Sequence, residues 1–333
     1  MANWLQKQWE SLTLWHILLV PVSWLFGAVV WLRKSLYQLG WLESYRLSAP
    51  VIVVGNITVG GTGKTPLVIW LAEQLKQQGY RPGIICRGYG GTVNQVLEVF
   101  SHSNSSEVGD EPVLIAKRTQ CPVFVGADRV AAGRLLLRIH PQCNVILSDD
   151  GLQHYRLQRD IEIALINSTD AFGNGQLLPA GPLREKKTRL QYVDAIVDSG
   201  VDELNQVKMP PIFNMQLLGS YFHRISGSEQ QQASFFEGEN LVAIAGVGKP
   251  ARFFRQLSAL GLVFEQHAFP DHHAYSAHEL ARFRDKTLLM TEKDAVKCSA
   301  FDNGNAWFLP VEAKLTSQTN QSLVALILQK LRN

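Results

Sequence analysis

An α/β/α sandwich joined to a second, smaller α/β unit, with an apolar helix at the N-terminus, is the architecture this 333-residue sequence predicts. Three observations predict it. Short β-branched runs alternate with helix-like segments over most of the chain, the pattern of a largely parallel sheet covered by helices. The first such run, 51–54, feeds a glycine-rich loop and then Lys64-Thr65, the strand–loop–helix order of a P-loop NTPase-type domain. After an irregular stretch at 202–232, with Pro210-Pro211 and a glutamine-rich turn, the alternation starts again. The expected organisation is therefore an apolar helix at 1–40, a P-loop domain at 41–205, a linker at 206–236 and a smaller α/β domain at 237–333. Hydrophobic content of 46% and charge of 18% are globular values that exclude a disordered chain. A net charge of +3 suits an anionic lipid or phosphate and is too weak to argue for nucleic acid. The four cysteines, Cys86, Cys121, Cys143 and Cys298, are scattered without a C-x-x-C pair and read as reduced thiols rather than zinc ligands.

The N-terminal segment differs in kind. From 12 to 32 the chain has no Asp, Glu, Lys or Arg, with Lys7 and Glu10 before it and Arg33 and Lys34 after it. Trp15, Trp24 and Trp31 suit a bilayer interface, and the length is near the roughly 20 residues that span one. Pro21 and His16 weaken a simple spanning helix. A transmembrane anchor, a helix in the interface and a buried helix all fit the segment. If it spans, the basic flank places the body of the protein inside.

Run 51–54 is the first strand, and 66–78 its helix, with Gly79 as the stop. Strand 83–86 ends at Arg87-Gly88-Tyr89, and the polar, serine-rich 91–108 reads as a loop or irregular hairpin. A helix at 111–118, a strand at 123–125 and a helix at 129–139 follow. The buried run 144–147 delivers Ser148-Asp149-Asp150-Gly151, and 161–166 and 195–197 read as further strands. In the second unit, 241–245, 262–269 and 287–290 read as strands and 250–260 as a helix. Ser276 with Glu279 three residues on forms a capping-box pattern.

The loop Thr58-Val59-Gly60-Gly61-Thr62-Gly63-Lys64-Thr65 turns its backbone N–H groups toward one spot, which is what phosphate needs. Lys64 adds a cation and Thr65 a hydroxyl for Mg²⁺, so the implied ligand is ATP with Mg²⁺. Asp149 and Asp150 follow a buried strand, where a P-loop enzyme places its second magnesium-organising acid. Asp110 and Glu111 open a helix; as chemistry, Asp110 accepts a hydroxyl proton and Glu111 binds Mg²⁺, whereas as structure both favour the helix dipole. Asp271-His272-His273 reads as a histidine poised by a carboxylate, and spacing does not separate the two histidines. Arg87, Arg129 and Arg184, at loop mouths, together point to an anionic substrate. Gly246-Val247-Gly248-Lys249-Pro250 lacks the hydroxyl of a phosphate loop and reads as a tight strand–helix turn.

These motifs, with Leu178-Pro179-Ala180-Gly181-Pro182-Leu183-Arg184-Glu185, Gln153-His154 and Thr291-Glu292-Lys293-Asp294-Ala295-Val296-Lys297, resemble the tetraacyldisaccharide 4′-kinase family from the N-terminal helix almost to the C-terminus. The resemblance implies transfer of the ATP γ-phosphate to the 4′-hydroxyl of a tetraacylated glucosamine disaccharide 1-phosphate, giving lipid IVA, on the cytoplasmic face of the inner membrane. It implies a site between two domains and an Asp–His pair in proton transfer, here Asp110 with His272. His154, Arg184 and Arg87 are then candidates for the transition state or the lipid headgroup, and Asp149 and Asp150 for the metal's surroundings or substrate orientation. The alternative is a switch ATPase of the partitioning or metallocluster-assembly type. Those carry Lys before the Gly-Gly pair, where this chain has Val59. No feature sets an oligomeric state.

Overall fold

The computed structural model describes residue 9 and residues 15–92, 95–170, 172–200, 209–298, 304–317 and 321–332. The expected boundary at 205/206, and positions 12–14 of the apolar run, lie outside these residues. In chain order the first half contributes helix α1 (Trp15–Gln38), β1 (Val51–Gly55), α2 (Lys64–Gln77), β2 (Pro82–Cys86), β3 (Leu97–Val99), α3 (Ser105–Val108), α4 (Asp110–Thr119), β4 (Val123–Val125), α5 (Arg129–Ile139), β5 (Val145–Asp149), β6 (Ile161–Ile166) and β7 (Ala195–Asp198). The second half contributes β8 (Ile212–Leu218), β9 (Phe222–Arg224), β10 (Gln230–Gln231), β11 (Leu241–Ala245), α6 (Pro250–Ala259), β12 (Glu265–Ala268), α7 (Ala277–Ala281), β13 (Thr287–Thr291), α8 (Glu292–Cys298), β14 (Ala306–Leu309), β15 (Glu312–Ser317) and α9 (Leu323–Arg332).

The large sheet has nine strands in the order β15-β8-β7-β6-β1-β5-β2-β4-β3. From β8 to β4 every neighbour is parallel, and antiparallel β15 and β3 close the edges. β1 is buried along its whole length, with Ile52 and Val54 in the core on one face and Val51 and Val53 in the core on the other. A strand covered on both faces reads as a continuous apolar run, which is why it is legible in sequence. The smaller sheet, β10-β9-β14-β13-β11-β12, repeats the plan around parallel β11, with Leu241, Ala243 and Ala245 on one core and Val242 and Ile244 on the other. Ligands of parallel sheets bind beyond the carboxyl ends of the strands. Here β1, β2 and β5 of one sheet and β11, β12 and β13 of the other direct those ends toward each other: an atom added at Cβ of Gly248, after β11, would lie 3.3 Å from the Gly61 nitrogen, after β1.

Two expectations change. The span 206–236 is no simple linker, because β8 pairs with β7 in the large sheet and β9 and β10 belong to the small one. The chain also returns: β15 pairs with β8 over Glu312↔Leu218 to Ser317↔Phe213, and Leu323, Leu326 and Ile327 of α9 enter the first core. The cause is non-local pairing along a half-exposed strand, which local pattern does not reveal. The loop expected at 91–108 likewise contains β3 and α3.

Helix α1 docks by a narrow seam. Ser23 is buried, its Oγ 2.9 Å from the Leu177 carbonyl oxygen and accepting the Ala180 N–H at 2.9 Å. His16 Nε2 lies 3.0 Å from Asn174 Nδ2, and at Gly27 a Cβ would come within 2.7 Å of Leu177. Leu18, Trp24, Leu25, Val29, Trp31 and Leu32 are exposed. The stretch Leu18–Gln38 is long and apolar enough to cross a membrane, with 6% of its apolar window buried, so the buried-helix reading does not hold.

Because α9 belongs to the first core, Ile327→Ala should destabilise that unit by about 2–4 kcal/mol, the usual cost of truncating a buried isoleucine. A lower urea midpoint measures it; an unchanged midpoint would mean that α9 is dispensable.

Candidate active site

The phosphate loop leaves β1 and enters α2 at Lys64. Gly60 and Gly63 have φ of 114° and 96°, a region L side chains rarely adopt. Gly63 is the N-cap of α2 and no side chain caps it, so the first-turn N–H groups remain for an anion. The 178–185 segment flanks the loop: Val59 N–H donates to the Pro182 carbonyl at 2.8 Å and Arg184 N–H to that of Ile57 at 2.7 Å. Arg184 is thereby delivered to Asp150, one guanidinium nitrogen lying 2.9 Å from each carboxylate oxygen, while Lys64 Nζ lies 3.7 Å from the same group. Burial alone would raise the Asp150 carboxyl, but Lys64 and Arg184 hold it below the usual range. Asp150 itself is left-handed, with φ 50°. Next to it, Glu185 is buried and accepts from Gln153 Nε2 at 2.8 Å and from the Tyr155 hydroxyl at 2.5 Å.

Asp149, the last residue of β5, is buried, and its Oδ1 has no partner among the described residues. Burial and the charge of Glu111 push its carboxyl up to about 7, against the pull of Lys64. Glu111 is paired with Lys293, which enters from α8 of the second unit. Burial would raise the Glu111 carboxyl, yet Lys293 and Lys64 bring it below its ordinary value. The Lys293 ammonium, despite burial, is raised by Glu111 and Asp110.

Asp110 meets the second unit as well. His272 Nδ1 lies 3.0 Å from Asp110 Oδ1. Burial works to raise the Asp110 carboxyl, and the hydrogen bond from His272 with the charge of Lys293 takes it down to about 2. The same bond raises His272 against its own burial. His272 is left-handed, at φ 57°, and its ring lies 5.2 Å from that of Tyr89. His273 turns away, with Nε2 3.1 Å from Glu279 and its ring stacked on Phe269 at 4.7 Å. Of the two histidines that spacing did not separate, His272 is the one that reaches Asp110.

The structure brings Lys64, Asp110, Glu111, Asp149, Asp150, Arg184 and His272 together, with Thr65 buried in the first turn of α2. Arg129 is a correction to the headgroup set. It is buried and donates to the carbonyls of Gly126 at 2.9 Å and Asp149 at 3.0 Å, so it braces the end of β5 rather than facing a substrate. His154 is pushed down to about 4 by burial and the positive Arg129, which leaves it neutral. Arg87 is exposed after β2. Lys293 had no assigned role; its signal was its place directly after a strand, in the Thr291–Asp294 motif.

A phosphate cradle beside a carboxylate, Asp110, that is met by a histidine from the second unit is the equipment of a P-loop kinase. Comparison with known proteins narrows the class. The LpxK family, described as tetraacyldisaccharide-1-P 4′-kinase, matches residues 15–332. Tetraacyldisaccharide 4′-kinases of Methylobacillus flagellatus and Dechloromonas aromatica are 49% and 46% identical, over 97% and 100% of this chain and 96% and 98% of theirs. A crystal structure of LpxK from Aquifex aeolicus in complex with ATP superposes with a TM-score of 0.80 at 31% identity, covering 93% of this chain and 98% of that one. The chain belongs to the tetraacyldisaccharide 4′-kinase family, and the switch-ATPase alternative falls away.

The acid cluster sets a pH dependence. The folded Asp149 value of about 7 lies above the roughly 4 of an unfolded aspartate. Ionising it thus opposes folding: the penalty is absent below about pH 4, grows between those values and is complete above about pH 7. Asp149→Asn should raise the melting temperature of the nucleotide-free protein at pH 8 and leave it nearly unchanged at pH 4. Equal shifts at both pH values would contradict the assignment.

Proposed function

We propose that this chain transfers the γ-phosphate of ATP to the 4′-hydroxyl of a tetraacylated glucosamine disaccharide 1-phosphate, forming lipid IVA, at the cytoplasmic face of the inner membrane. The observation that carries the reading is the 3.0 Å contact of Asp110 with His272 beside the phosphate loop. Phosphoryl transfer depends on position and charge neutralisation more than on covalent chemistry. The loop amides and Lys64 hold the phosphates of the donor. Asp110, ionised far below neutral pH, accepts the hydrogen bond of the incoming hydroxyl and takes its proton as the new P–O bond forms and the bond from the γ-phosphorus to the bridging oxygen breaks, releasing ADP. His272 orients that carboxylate and stabilises its charge. Arg184, beside Asp150, and exposed Arg87 are the cations available to the substrate's anionic groups.

Mg²⁺ fits the residues present. Asp149 has a buried oxygen without a partner among the described residues, its carboxyl is raised by burial and by Glu111, and a cation there would relieve both. Among the described residues no cluster of three or more His, Cys, Asp or Glu forms a metal cage, and magnesium bound through nucleotide, water and one or two carboxylates needs none. Thr65, Glu111 and Asp149 would hold it. When bound, it neutralises charge on the transferring phosphate. The exposed apolar face of α1 supports membrane association, which keeps the acyl chains of the substrate in the bilayer while its sugar enters the cleft.

With γ-labelled ATP and the lipid disaccharide, label should appear in the lipid; hydrolysis of ATP without labelled lipid would refute the reading. Asp110→Asn should lower kcat by about 100-fold or more with KM for ATP changed by less than about threefold. Replacing Leu18, Trp24, Leu25, Trp31 and Leu32 by Gln, which spares the Ser23 seam, should release the protein from membranes. Retention in a carbonate-washed pellet would count against α1 as the anchor.

A further inference from the structure

His272 must hold its ring on Asp110, yet it occupies a loop whose backbone there is left-handed, at φ 57°. The loop is fixed from beneath, by residues to which the reaction above gives no part. Asp294, in α8, is completely buried. It accepts hydrogen bonds from the Gly246 N–H at 3.1 Å, the Tyr275 hydroxyl at 3.1 Å and the Thr291 hydroxyl at 2.6 Å, and lies 2.7 Å from Lys297 Nζ. The Gly246 carbonyl in turn accepts the main-chain N–H of His272 at 3.2 Å and Lys297 Nζ at 3.2 Å. Only glycine permits this approach, since a Cβ at 246 would lie 2.8 Å from the Tyr275 oxygen. Both main-chain groups of Gly246 are thus tied, one to Asp294 and the other to His272. Tyr275, three residues beyond His272, is tied to the same carboxylate. The ring of Tyr275 also packs edge-on against Phe269, 5.2 Å away at the start of the loop, and against His273 at 4.9 Å.

We propose that Asp294 and Tyr275 are positioning residues for the transfer: through Gly246 they set the main chain of His272 and so the register of its ring on Asp110. Neither touches the reacting groups. The proposal rests on the reading that the Asp110–His272 pair acts in phosphoryl transfer. A satisfied buried network of this kind holds one arrangement and resists neighbouring ones. A small displacement of a catalytic group is enough to reduce turnover without loss of substrate binding.

The test is a double-mutant cycle on kcat and on KM for ATP. Tyr275→Phe removes one hydroxyl and keeps the ring, so it carries the test; Asp294→Asn repeats it where thermal melting shows a folded protein. Tyr275→Phe should lower kcat about tenfold with KM for ATP within about twofold, and in a His272→Ala background the same change should lower kcat by less than about twofold. An unchanged kcat in Tyr275→Phe, or an equal loss in both backgrounds, overturns the proposal while leaving the pair intact. A His272→Ala variant with undiminished kcat overturns the reading of the pair and this proposal with it.

Discussion

Four carboxylates, Asp110, Glu111, Asp149 and Asp150, crowd the cleft between two sheets, and the rest of the site answers to that crowding. Like charges this close cannot all be ionised in a partly dry cleft unless cations meet them. Asp150 has Lys64 and Arg184, Glu111 has Lys293, and Asp110 has His272. Asp149 keeps a buried oxygen without a partner among the described residues. Two of these positive partners, Lys293 and His272, belong to the second unit. The charge balance of the phosphate-loop unit is therefore incomplete by itself, and contact with the second unit completes it.

The strands that organise the site were legible because they are buried on both faces. Runs 51–54 and 241–245 are short, apolar and bounded by proline, glycine or a polar residue, as core strands are, and 129–139 was bounded to the residue. The glycine loop was legible because few other uses require that spacing. What sequence did not carry was direction. Arg129 and Arg184 look alike at the mouths of loops, yet one turns inward to two carbonyls and the other outward to Asp150. His272 and His273 are adjacent, and only the path of the loop separates them. The left-handed backbones of Asp150 and His272 leave no mark in composition, and Lys293 gains its role from a partner 182 positions away.

One segment links regions that the sequence presented separately. Residues 177–184 receive Ser23 of α1 at Leu177 and Ala180, pair with the phosphate loop at Thr58 and Val59, and end in Arg184 on Asp150. The apolar helix and the nucleotide loop are held by neighbouring residues of the same short stretch. A helix seated this way fixes the height of the cleft above whatever surface its exposed face meets.

The chain crosses between its two units twice, along β8 and β15, and the crossings are hydrogen-bonded to each other over the six pairs from Phe213↔Ser317 to Leu218↔Glu312. A single strand would act as a ball joint, leaving the units free to swivel and splay. Two crossings paired to each other, and through β8 to β7 of the large sheet, leave the units fewer relative placements than one strand would. The paired tether thus keeps the loop that carries His272 within reach of the helix that carries Asp110.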